Sequence, residues 1–83
     1  MTTTIRRLNP IELTLQRLGD VELLGIVYSY ELEEGAVLYE NERETVCHLF
    51  DSGGYTYHGA YSGSQEDPRL VFAERAARFT RRT

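Results

Sequence analysis

Asp20-Val21-Glu22-Leu23-Leu24-Gly25-Ile26-Val27-Tyr28-Ser29-Tyr30-Glu31-Leu32 is the stretch that decides the fold. Leu24, Ile26, Tyr28, Tyr30 and Leu32 fall on one side of an extended chain. Val21, Leu23, Gly25, Val27, Ser29 and Glu31 fall on the other, and this period of two is that of a β-strand. Working outward, Glu33-Glu34-Gly35 reads as a turn and Ala36-Val37-Leu38-Tyr39 as the start of the next strand. Asn41-Glu42-Arg43-Glu44 interrupts it, and Thr45 to Asp51 resumes as a strand. Ser52-Gly53-Gly54 supplies the glycines that a hairpin turn needs at positive φ. Tyr55 to Tyr61 follows as a strand of residues that favour a pleated surface. Residues 20–61 therefore read as consecutive antiparallel strands.

Helical signals flank this block. After the loop Ser62 to Glu66, Asp67 caps a helix whose first residue is Pro68, and the spacing predicts a helix over 67–81. Leu70, Phe72, Ala73, Ala76, Ala77, Phe79 and Thr80 are its expected packed stripe, with Arg75, Arg78 and Arg82 in a row opposite. Upstream, residues 9–19 support two patterns. Asn9 as N-cap, Pro10 at the first position, Glu12 at capping-box spacing, a Leu8–Leu13 staple and Gly19 at the end favour a helix, with Ile11, Leu15 and Leu18 on one face. Alternation of Ile11, Leu13 and Leu15 with Glu12, Thr14 and Gln16 spells a strand instead. Residues 1–8 are expected to fray. The expectation is one α+β domain over residues 1–83. It has an antiparallel sheet of three to four strands, a short N-terminal helix or strand, and a C-terminal helix, with the helices on one face of the sheet.

The chain has 83 residues, a net charge of -4 and 41% hydrophobic residues. A domain of this size buries only about 60–65% of its unfolded surface. A deep water-excluding pocket would consume much of such a core, which points away from an enzyme. No apolar stretch is long enough for a membrane span, and Met1-Thr2-Thr3-Thr4-Ile5-Arg6-Arg7 lacks the apolar core of a secretory signal. A single cysteine, Cys47, leaves no internal disulfide, so a reducing, cytoplasmic setting is expected.

No catalytic set assembles. Cys47 and His48 are adjacent in a strand and point to opposite faces, while His48 and His58 meet only in one hairpin register. No metal and no cofactor is expected. Cys47, in an apolar strand amid acids, reads as a buried structural thiol. Glu33 with Glu34, and Glu42 with Glu44, read as solvated turn charges, and Gly53-Gly54 is no phosphate cradle because a strand follows it.

Charge is segregated. Residues 1–19 balance at +2, residues 20–67 at -10 and residues 68–83 at +4, and every basic residue is an arginine. The acidic middle is interleaved with Tyr28, Tyr30, Tyr39, Tyr55, Tyr57 and Tyr61. Tyrosines of this kind can line a core, grip an arginine-rich protein, or stack single-stranded bases. The last use would employ Tyr57 and Tyr61, expected on one strand face with Tyr55, together with Arg75 and Arg78. Base stacking needs a basic groove, whereas these strands are flanked by acids.

In length, acidity, simple α+β architecture and lack of an active-site motif, the chain resembles the small acidic single-domain proteins by which phages and mobile elements inhibit host nucleases, anti-CRISPR proteins among them. That resemblance implies a DNA-mimicking protein that binds a CRISPR effector or another nuclease complex. Glu31, Glu33, Glu34, Glu40, Glu42 and Glu44, with Tyr28, Tyr30 and Tyr39, would then occupy a basic DNA-binding channel. The leading expectation is a non-enzymatic inhibitor of a nucleic-acid-binding complex. The alternatives are a small RNA- or single-stranded-DNA-binding module and a self-associating regulatory domain, for instance a homodimer. No membrane partner is expected.

Overall fold

Short turns force each strand to pair with its neighbour in sequence. In a computed structural model, which describes residues 8–63 and 65–80, the order is α1 (Pro10–Leu18), β1 (Glu22–Ser29), β2 (Glu34–Glu40), β3 (Thr45–Asp51), β4 (Thr56–Tyr61) and α2 (Pro68–Thr80). The four strands form one antiparallel meander, β1-β2-β3-β4. The expected fraying of residues 1–7 and the placement of Arg81 and Arg82 lie outside the described residues.

Residues 10–18 are helical because both ends are fixed locally. The Asn9 side-chain oxygen accepts from the Glu12 N–H at 2.8 Å, and Glu12 Oε1 accepts from the Asn9 N–H at 3.3 Å. Gly19 ends the helix at φ 76. Asn9→Ala is expected to cost about 1 kcal/mol in urea unfolding, with the rest of the fold intact. The buried ridge runs through Ile11, Thr14 and Leu18, not Leu15 as expected: Thr14 is fully buried and its hydroxyl donates to the Pro10 carbonyl at 2.8 Å. Close approach explains the choice. A Cβ on Gly54, at φ 80, would lie 2.8 Å from Leu13 and Thr14, so α1 rests directly on the β3–β4 turn.

The helices lie on opposite faces of the sheet, which corrects the expectation of one face. Val37, Tyr39, Val46 and Phe50 pack with Ile11 and Leu18 of α1. Ala36, Leu38, Cys47, Leu49 and Ala60 pack with Val71, Phe72 and Phe79 of α2. The reason is visible in β2, where Gly35 to Tyr39 are all buried: a strand without polar alternation needs cover on both sides. On α2 the two phenylalanines set the face. Leu70, Ala73, Ala77 and Thr80 point outward, contrary to expectation, and Arg75 turns inward.

Two bulges reset the facing of side chains. Leu23 pairs with Tyr39 and Gly25 with Leu38, so Leu24 is an extra residue in β1. Val21 therefore joins Ile26 and Tyr28 on the α1 side instead of lying with Gly25 and Val27. In β4, Cys47 pairs with Ala60 and Leu49 with Tyr57, so His58 and Gly59 together oppose His48. His58 takes φ 49 to allow this. Tyr57 consequently faces α2, while Tyr61 reaches His48 on the other side; the expected shared face of Tyr55, Tyr57 and Tyr61 does not exist.

Candidate protein-interaction surface

The β1–β2 turn comprises Tyr30 to Glu33, between the paired Ser29 and Glu34, and so begins before the expected Glu33-Glu34-Gly35. Ser29 closes it by accepting the Leu32 N–H at 3.1 Å. Glu33 completes it at φ 54, a left-handed conformation that a non-glycine residue adopts at a cost of about 1 kcal/mol. Tyr30 and Leu32 are thereby displayed, 68% and 51% exposed, with Glu31 and Glu33 exposed beside them. Their base is packed on the core. The Tyr30 ring stands edge-on to Tyr28 at 4.9 Å, and Tyr28 stacks on the buried Phe50 at 5.6 Å. Burial, followed by the charge of Glu33, raises the Tyr28 phenol pKa, so this ring stays neutral.

A second acidic group occupies the other end of the meander. Asp20 and Glu22 there meet Glu40 and Glu42, with Arg43 and Glu44 following in the β2–β3 turn, which is shaped by the Asn41 side chain accepting the N–H groups of Arg43 and Glu44 at 2.8 and 2.9 Å. Glu22 stands directly opposite Glu40, a like-charge pair. Arg69, 3.9 Å from Glu40, offsets part of that repulsion.

The nine expected contact residues are therefore divided. Tyr28, Tyr30, Glu31 and Glu33 share the β1–β2 turn; Glu40, Glu42 and Glu44 lie at the opposite end; Glu34 and Tyr39 are withdrawn from the surface. Tyr39 is buried, with its hydroxyl 3.1 Å from His48 Nδ1, while His48 Nε2 lies 3.2 Å from the Tyr61 hydroxyl. One ring nitrogen donates and the other accepts, so the neutral imidazole suits both phenols. Burial, then Arg75, holds the His48 pKa below the usual histidine value. Leu32, expected in the strand, belongs to the display because the turn begins at Tyr30, three residues before the expected Glu33. Ser29 was the signal for it, because serine hydroxyls close turns locally.

Glu34 joins three elements. The Tyr57 hydroxyl donates to its Oε2 at 2.6 Å, and Arg78 Nη2 stands 3.6 Å from its Oε1, which is buried and accepts no hydrogen bond. Burial first, then the bond to Glu34, pushes the Tyr57 phenol from 10.0 up to about 12. The fold therefore favours the neutral phenol: this stabilisation is complete below pH 10.0 and is lost as pH rises through about 12. Tyr57→Phe should accordingly show a shallower loss of stability across that alkaline window, read from urea midpoints against pH.

The residues considered for nucleic acid, Tyr57, Tyr61, Arg75 and Arg78, do not converge. Tyr57 and Tyr61 lie on opposite faces, Arg78 pairs with Glu34, and Arg75 Nη1 donates to Cys47 Sγ at 3.6 Å. Burial raises the Cys47 thiol pKa, and Arg75 rather than any acid is its charged neighbour, working against that rise. A depression of about 430 Å³ lies between α1 and β4, where the Arg17 guanidinium covers Tyr55 at 3.8 Å. Among the described residues no group of three or more histidine, cysteine or acidic side chains is placed to hold a metal, and no helix is long and apolar enough to cross a membrane.

Protein-family models, curated proteins and solved structures were all compared with the chain, and none matches.

Proposed function

We propose that this protein is a non-enzymatic binding protein that grips a basic surface of a protein partner and competes there with DNA, as an inhibitor of a nucleic-acid-binding complex. The observation that carries this reading is the β1–β2 turn, where exposed Tyr30 and Leu32 stand between exposed Glu31 and Glu33 on a core-anchored base. Tyrosine offers large contact area at small entropic cost, and carboxylates beside it take arginine in two-pronged hydrogen bonds. The acids at the other end of the sheet add to the same long-range field, which speeds encounter with a positive partner.

The division of the acids makes the test specific. Native protein is expected to displace DNA from at least one member of a panel of purified nucleic-acid-binding complexes, CRISPR effectors included. Glu31→Arg with Glu33→Arg should weaken that displacement at least tenfold without changing the circular dichroism, and added salt should weaken the native protein as well. Glu42→Arg with Glu44→Arg should chiefly slow association. If DNA stays bound to every member at stoichiometric excess of the native protein, the proposal fails.

A further inference from the structure

The displayed turn is continuous with an open sheet edge. Among the described residues β1 is the outermost strand on that side, hydrogen-bonded to β2 alone within the sheet. Beyond the bulge at Leu24, Gly25 to Ser29 pair with β2 without interruption, so their outer backbone groups form a regular template. The other edge offers none, since β4 is broken at His58 and Gly59.

The charges around β1 select what can pair with it. Its centre is Gly25-Ile26-Val27-Tyr28-Ser29; Asp20 and Glu22 lie at one end, where Arg43 shares a depression with Asp20 and Glu42; Glu31 and Glu33 lie at the other, and residues 18–42 contain no arginine, lysine or histidine. A second copy pairing antiparallel along this edge would bring Asp20 and Glu22 against Glu31 and Glu33 of its partner, which is repulsive at both ends. An extended segment with small or apolar residues in the middle and cations at both ends meets attraction at both ends and hydrogen bonds between them.

We propose that β1 is a docking edge for an extended basic peptide segment of the partner, which adds to the sheet as a fifth strand beside Gly25–Ser29. This deepens the reading of the acidic turn and rests on it, because the cations at one end of the segment would be met by Glu31 and Glu33.

A synthetic peptide of alternating valine and threonine, with two arginines at each end, is a direct probe of the native protein. On binding, the outward-facing β1 amides among Gly25–Ser29, those not already bonded to β2, should gain protection from hydrogen exchange of at least about tenfold. The same peptide with glutamates for arginines, or with every central amide N-methylated, should bind at least tenfold more weakly. Unchanged β1 exchange alongside binding that Glu31→Arg with Glu33→Arg abolishes would overturn strand addition while leaving the acidic turn as a contact site. Equal binding by the N-methylated peptide would overturn it in the same way. Absence of any binding by the arginine peptide at low salt would overturn it too, and displacement of DNA from purified complexes then judges the acidic turn separately.

Discussion

Phe50→Ala should lower the folding free energy by about 4 kcal/mol, the cost of emptying a fully buried aromatic site. Phe50 is 0% exposed, clusters with Val37, Tyr39 and Val46, and carries the Tyr28 ring on its own face. Its removal leaves a cavity bounded by a sheet that cannot close over it and releases the stacking partner as well. Small domains have roughly 0.05–0.15 kcal/mol of stability per residue, so this loss takes much of what a chain this short possesses. Urea unfolding followed by circular dichroism should show the midpoint collapsing toward zero denaturant. A shift of under about 1 kcal/mol would mean that Phe50 is not the centre of the α1-side core.

Gly35→Ala should cost about 3 kcal/mol, the upper part of the usual overpacking range, although it adds a single methyl group. Gly35 is paired with Tyr28 on one side and Phe50 on the other, so the two aromatic rings stack across the middle strand over a glycine. A Cβ at this position would lie 2.3 Å from the Val27 carbonyl oxygen and 2.5 Å from the Phe50 ring. The nearer obstacle is backbone and cannot rotate away. Gly25→Ala is the instructive contrast, because the three atoms nearest its Cβ all belong to the Phe72 ring, the closest at 2.9 Å, and a side chain can give. Gly63→Ala, with nothing within 4 Å, should be neutral. An order of cost Gly35, Gly25, Gly63 in thermal unfolding would support the packing described; equal effects at all three would contradict it. Because Tyr28 also braces Tyr30, Gly35→Ala should weaken the proposed partner binding in whatever fraction remains folded.

Several element ends were legible in the sequence because their causes are local, whereas the β1–β2 turn, expected at Glu33-Glu34-Gly35, begins at Tyr30. Asn9, Pro10, Glu12 and Gly19 bracket α1; Asn41 to Glu44 and Ser52 to Gly54 bracket turns; Pro68 starts α2. Each depends on hydrogen bonds or φ preferences within about four residues, which neighbouring residues alone can specify. The acidic, tyrosine-bearing character of the middle segment was equally plain, and Tyr28, Tyr30, Glu31 and Glu33 do meet at one turn.

What the chain's own order of residues determined was thus an α+β domain, an antiparallel run of three to four strands followed by a helix, with negative charge concentrated in the strands and residues 9–19 open between helix and strand. Only the tertiary structure decided which face each side chain took. An extra residue at Leu24 and another at His58–Gly59 each inverted the alternation of one side of its strand relative to the other, placing Val21 on the face of Ile26 and Tyr28 and separating Tyr57 from Tyr61. Tertiary structure also assigned α1 and α2 to opposite faces, drew Arg75 inward to Cys47, and pulled Glu34 out of the acidic surface to meet Tyr57 and Arg78. The physical reason is that a bulge is settled by how two strands and the layers above them fit together. No residue within a strand of period two carries that information by itself.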